Sequence, residues 1–147
     1  MFEACNDILL QHDAIVDKLM GDAVMALFGA PIARADHAQQ AVKAALAIQQ
    51  KAAEVFPAGW EGACIRIGVN TGAAFVGSIG SRDVKDFTAV GDVVNVAQRL
   101  QTAAEPGEIL VSEATYDRVR ESHPGLAART LQVKGREDAV TAFAVTP

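Results

Sequence analysis

Several things are scarce in this chain, and each scarcity excludes something. It has two cysteines in 147 residues, Cys5 and Cys64, far apart in sequence, so no disulfide framework is encoded and a reducing, cytoplasmic setting is expected. Its three histidines, His12, His37 and His123, are isolated, and no Cys/His spacing suits a zinc site. Basic residues are too few and too scattered for a nucleic-acid footprint, and the net charge is −5. A small anionic ligand would need only a local basic pocket. No uninterrupted apolar run approaches the ~20 residues that span a bilayer, and the acidic start Met1-Phe-Glu-Ala-Cys-Asn-Asp7 is no signal peptide. Neither the Gly-x-x-x-x-Gly-Lys-Ser/Thr phosphate loop nor the Gly-x-Gly-x-x-Gly dinucleotide pattern occurs.

What is present is a chain of one domain's length whose residues are 50% hydrophobic, enough for a substantial core. It is organised around Ile15 to Pro31, which reads as two apolar strands meeting at Gly21-Asp22. The second arm, Ala23 to Phe28, carries no charge and is expected deep in a sheet. Asp22 then stands at the hairpin tip. Lys18, four residues earlier, shares its face if the strand runs regularly that far. Taken alone, this pair is a turn aspartate and a solvated lysine. The sharper reading is a metal carboxylate beside a cation that reads a ligand.

Around the hairpin, periodicity predicts further elements. Phe2, Cys5, Ile8 and Leu9 give a helix over 1–11, and Asp36 caps an alanine-rich helix from His37 to Phe56, stopped by Pro57-Ala-Gly59 with Trp60 packed at the loop edge. Ile65 to Thr71 alternates as a strand, Gly72 turns the chain, and Ala73 to Ile79 returns. Arg82 and Lys85 sit in a polar loop. Phe87 to Val90 is a short strand, followed by a helix from Val93 to Thr102 with Asp92 as N-cap. On that helix Asn95 and Arg99 lie four apart on one face, where an amide and a guanidinium suit a sugar oxygen and a phosphate; a solvated helix face explains the spacing equally well. Ile109 to Val111 is a buried strand, Ser112 opens a short helix to about Arg120, and strands at 127–133 and 140–145 flank a charged loop, Lys134 to Asp138.

Three stretches carry a resemblance to a known family: Asp17-Lys-Leu-Met-Gly-Asp-Ala-Val-Met-Ala-Leu-Phe-Gly29, Ile67-Gly-Val-Asn-Thr-Gly72 with Val76-Gly77, and Phe87-Thr-Ala-Val-Gly-Asp-Val-Val-Asn-Val-Ala-Gln-Arg-Leu100. Pro106 to Ser112 and Val133-Lys-Gly135 also fit. The chain resembles the catalytic domain of the class III nucleotidyl cyclases. The resemblance implies an α+β, ferredoxin-like domain over 1–147, with a mostly antiparallel sheet and helices packed on it. It implies conversion of ATP to cyclic AMP and pyrophosphate with two divalent ions, Mg²⁺ or Mn²⁺, at the interface of a head-to-tail homodimer or with a cyclase partner chain. Asp22 would be the second of two metal carboxylates. Lys18, with Thr88, would read adenine; the family's guanylyl cyclases place glutamate and cysteine-like residues at these two positions, so the resemblance implies ATP over GTP. Asn95 would orient the ribose, Arg99 would stabilise charge on the phosphate, and Lys134 would hold the triphosphate. Arg82 falls near a phosphate arginine of the family. Metal carboxylates would come from one chain and the nucleotide-reading residues from the other.

Family members open with a strand bearing the first metal aspartate, in a Phe-Ala-Asp-Ile-like motif followed by Gly-Phe-Thr. No such motif stands in this chain. The domain is therefore expected to be truncated at its N-terminus, missing a central strand and one metal aspartate, with an exposed sheet edge. Strand alternation sends Asp17 away from Lys18, which makes it a poor substitute ligand. Three readings follow: an adenylyl cyclase domain, a catalytically silent relative that binds ATP or a partner cyclase, and a ferredoxin-like dimerisation module without nucleotide.

Overall fold

The computed structural model describes residues 1–56, 65–80, 85–132 and 139–146. Four helices and eight strands run in the order α1 (Phe2–Gln11), β1 (Ala14–Met20), β2 (Ala23–Phe28), α2 (His37–Val55), β3 (Ile67–Val69), β4 (Phe75–Gly80), β5 (Lys85–Val90), α3 (Asp92–Ala103), β6 (Ile109–Ser112), α4 (Glu113–Val119), β7 (Ala128–Leu131) and β8 (Val140–Val145). The fold is α+β, as expected.

A four-stranded sheet in the order β3-β6-β8-β7 forms the centre. β6 pairs in parallel with β3 and antiparallel with β8, and β7 pairs antiparallel with β8. The apolar run Ile109-Leu-Val111 is what a strand covered on both faces requires. Ile109 and Val111 pack with Ala38, Val42 and Ala45 of α2, Tyr116 and Val119 of α4, and Phe143 and Val145 of β8. Leu110 points the other way, to Leu100 of α3, Ala104 and Ala142. Period-two alternation thus splits three consecutive residues between two layers of helix. The small alanine face of α2 lets it lie close on the sheet.

Two hairpins complete the domain. β1 and β2 pair antiparallel, and Gly21 adopts φ +63° at their turn, a conformation that costs glycine little. β4 and β5 form the second hairpin. Here two expectations are corrected. β3 and β4 do not pair with each other across Gly72: β3 joins β6 in one sheet and β4 joins β5 in another, because residues 70–74 between them form no tight turn but run along the start of α3, where Asn70 donates to the Val93 carbonyl. β2 is half-buried along its whole length rather than deep, since it belongs to a two-stranded sheet with α1 and α2 packed on one side.

Helix starts differ in detail as well. Asp36 occupies the N-cap position of α2, but its carboxylate bonds the Arg34 guanidinium and the Gln40 amide instead of a backbone N–H. α3 is capped by Gly91, at φ +147°, and Asp92 is its first residue. Ser112 does cap α4, accepting the Thr115 N–H at 3.3 Å. The helix stop at 57–59 and Trp60 lie outside the described residues.

Candidate active site

β1 carries a bulge. Val16 pairs with Ala26 and Lys18 with Met25, so Asp17 has no partner across the hairpin. A bulge re-aims side chains that alternation would send to opposite faces. Here it turns Asp17 inward, with its side chain 1% exposed, while the Lys18 side chain remains 44% exposed. The Asp17 carboxylate accepts a 2.6 Å hydrogen bond from the Thr88 hydroxyl of β5, and Lys18 Nζ stands 4.0 Å from the same oxygen, Oδ2. Thr88 is itself buried. Lys18 and Thr88, 70 positions apart, therefore meet at one carboxylate. The expected separation of Asp17 from Lys18 is corrected by the bulge, which no local sequence pattern announces.

Asp22 lies exposed in the turn beyond β1. The strand ends at Met20, so strand alternation does not extend to Asp22 and does not itself place it on the Lys18 face. A carboxylate at a turn tip is the right donor type for a hard cation. Among the described residues, however, no three His, Cys, Asp or Glu side chains gather into a metal site. Asp17, the carboxylate nearest in sequence, is committed to Thr88.

The other helix-borne candidates are brought near Thr88 by chain connectivity, since β5 runs through Gly91 directly into α3. Asn95 is exposed and lines a shallow depression of about 450 Å³ with Ala89, Val90, Gly91, Asp92 and Val94. Arg99, one turn on, lines a different depression of about 420 Å³, with Gln98, Thr102, Leu131, Gln132 and Val140 among its walls. One helix face thus serves two recesses rather than one. α3 is held at its start by Asn70, whose amide donates to the Val93 carbonyl at 3.0 Å. Sequence reasoning passed over Asn70, although its place after an alternating strand and before a glycine marks a turn-forming amide. Arg82 and Lys134 lie outside the described residues.

Large apolar side chains remain exposed on the hairpins that carry Lys18 and Thr88. Phe75 and Val90 are cross-strand partners in the β4–β5 hairpin, and Leu19 and Met20 end β1 just beyond Lys18. Among the described residues, no helix is long and apolar enough to cross a membrane.

Comparison with known proteins accords with this geometry. Residues 1–146 match the sequence model of the adenylate and guanylate cyclase catalytic domain. Adenylate cyclase 1 of Rhizobium meliloti is 30% identical over 98% of this chain, which spans 23% of that protein. Soluble guanylate cyclase 89Da of Drosophila melanogaster is 32% identical over 96% of the chain, which spans 21% of it. The crystal structure of the adenylyl cyclase CyaB from P. aeruginosa superposes with a TM-score of 0.84 at 31% identity, covering 99% of this chain and 78% of the other. The chain belongs to the adenylate and guanylate cyclase catalytic-domain family.

Proposed function

We propose that this domain is an adenylyl cyclase, which closes ATP to 3′,5′-cyclic AMP and releases pyrophosphate. Adenylate and guanylate cyclases both stand among its relatives, so similarity alone does not choose the base. The observation that carries the choice is the meeting of Lys18 and Thr88 at Asp17. An ammonium gives hydrogens only, and adenine N1 accepts one, whereas guanine N1 carries a hydrogen of its own.

The remaining roles follow from side-chain chemistry. The Asn95 amide, exposed at the mouth of its depression, is suited to hold the ribose so that the 3′-oxygen faces the α-phosphate. Attack forms the O3′–P bond, breaks the bond from the α-phosphorus to the bridging oxygen, and sends the 3′-hydroxyl proton to solvent. Arg99 is suited to meet the negative charge that builds on the phosphate oxygens, an electrostatic role that typically changes rates by about 10²–10³-fold. Lys134 would hold the triphosphate. Mg²⁺ or Mn²⁺ is expected to accompany ATP, with Asp22 as a carboxylate this chain offers. The site is assigned to a homodimer, in line with the exposed Leu19, Met20, Phe75 and Val90 on the hairpins that carry Lys18 and Thr88, and the setting is cytoplasmic.

The test is incubation of the chain, at high concentration, with ATP and Mn²⁺, followed by assay of cyclic AMP. Cyclic AMP production abolished by Asn95→Ala, with no cyclic GMP formed from GTP in a parallel assay, supports the reading. A second reading, a catalytically silent ATP-binding relative, is favoured by the commitment of Asp17 to Thr88, which leaves Asp22 as the one carboxylate the β1–β2 hairpin offers a cation. It predicts saturable ATP binding weakened by Lys18→Glu, with no product.

A further inference from the structure

Asp17 is a buried carboxylate that none of the roles above uses. In the bulge of β1 its side chain is 1% exposed, and its neighbours there are the Thr88 hydroxyl at 2.6 Å and Lys18 Nζ at 4.0 Å, both on Oδ2. An ionised carboxylate accepts hydrogen bonds and donates none, while a threonine hydroxyl has one hydrogen and two lone pairs. With that hydrogen held by Asp17, Thr88 Oγ1 presents only lone pairs to anything else it meets. Lys18, drawn to the same carboxylate, presents only hydrogens.

We propose that Asp17 is a specificity-determining positioning residue, which fixes Thr88 as an acceptor beside Lys18 as a donor and so favours an adenine nucleotide over a guanine nucleotide. Adenine shows the matching edge, with a donating N6 amino group beside an accepting N1. Guanine shows the reverse, an accepting O6 beside a donating N1–H. Without Asp17 the Thr88 hydroxyl is free to rotate and donate to O6, so one of the two mismatches disappears. This inference rests on the proposal that Lys18 and Thr88 face the base, and it adds a residue that need not touch the nucleotide.

The experiment is competition binding of ATP and GTP against a fluorescent ATP analogue. It uses the whole chain as wild type, Asp17→Ala, Asp17→Asn, Thr88→Val and the Asp17→Ala/Thr88→Val double variant, each checked for folding by circular dichroism. Wild type should prefer ATP. Asp17→Ala should cut the ATP-to-GTP affinity ratio about tenfold, the scale of one hydrogen bond. Asp17→Asn, which keeps an accepting oxygen, should retain part of the preference. In the Thr88→Val background, Asp17→Ala should leave the ratio unchanged, an outcome that a merely structural role would not give. Should Asp17→Ala not fold, the wild type still decides. Purine riboside triphosphate, which lacks the N6 amino group, should bind about tenfold more weakly than ATP to wild type and equally with ATP to Thr88→Val. Equal binding of the two by wild type overturns the inference, as does an ATP-to-GTP ratio that survives Asp17→Ala or falls equally in both backgrounds. If wild type itself does not prefer ATP, the adenylyl reading falls too; if it does and the Asp17 variants change nothing, only this inference falls.

Discussion

Gly68 of β3 lies directly under Ala97 of α3, so close that a Cβ on Gly68 would stand 2.3 Å from the Ala97 carbonyl oxygen and 2.4 Å from the Gln101 nitrogen. Both obstructing atoms are backbone, and no rotamer change relieves them. The helix bearing Asn95 and Arg99 is therefore seated by the absence of a side chain. Gly68→Ala must push α3 off the sheet, with the ~1–3 kcal/mol loss usual for overpacking. Thermal unfolding should show the lower midpoint, and cyclase activity should fall further than stability does. An unchanged midpoint would mean that α3 is free to shift without cost.

Thr115, fully buried in α4, ties the end of β3 to the α4 cap. Its hydroxyl lies 2.8 Å from Thr71 Oγ1, 3.1 Å from Ser112 Oγ and 3.4 Å from the Val69 carbonyl. Thr115→Val keeps the shape and removes the hydroxyl, leaving the Thr71 and Ser112 hydroxyls short of a partner. A loss of about 1–3 kcal/mol is expected in urea unfolding. The paired variant Thr71→Val/Thr115→Val should lose less than the sum of the single variants.

Asp36 gives the fold a handle in acid. The hydrogen bond from Arg34, then that from Gln40, hold its carboxyl at about 2, below the ordinary 3.8. A carboxyl depressed in the folded state contributes stability that is present above its unfolded value and lost as pH falls through the folded one, here from about 3.8 down to about 2. Arg34→Ala should raise the Asp36 titration midpoint toward the ordinary value in a carboxyl NMR titration. It should also move the onset of acid unfolding to higher pH. A titration that stays where it was would leave Gln40 as the dominant partner.

Arg99 and Asn95 should separate kinetically. If Arg99 acts on charge that develops in the transition state, Arg99→Ala lowers kcat by roughly 10²–10³-fold with little change in KM. Asn95→Ala, by misplacing the ribose, should also fall chiefly in kcat. Steady-state assays with ATP decide this, and a change confined to KM would move Arg99 to simple substrate binding.

Phe75 and Val90, paired across the β4–β5 hairpin, are 67% and 47% exposed. If a second copy covers them, Phe75→Glu should shift the protein to monomer in sedimentation velocity at unchanged helical content, and cyclase activity should drop with it. A wild type that is monomeric at every concentration tested, yet active, would count against a site shared between chains.

The sequence by itself determined the elements and their chemistry. Alanine-rich periodicity marks α2, the uncharged run at 109–111 marks a strand covered on both faces, and the i, i+4 spacing of Asn95 and Arg99 puts them on one helix face. These are local properties, and residues within one or two turns settle them. Lys18 and Thr88 were legible as candidates because their motifs are contiguous. What joins them was not. The bulge at Asp17 exists only because Val16 and Lys18 pair with Ala26 and Met25 across the hairpin, and the Asp17–Thr88 bond spans 71 positions. In the same way, β3 joins β6 in one sheet and β4 joins β5 in another, although β3 and β4 are neighbours in sequence. Tertiary structure decided these points, because register and strand partnership depend on distant segments packing together, and no short window of sequence holds that information.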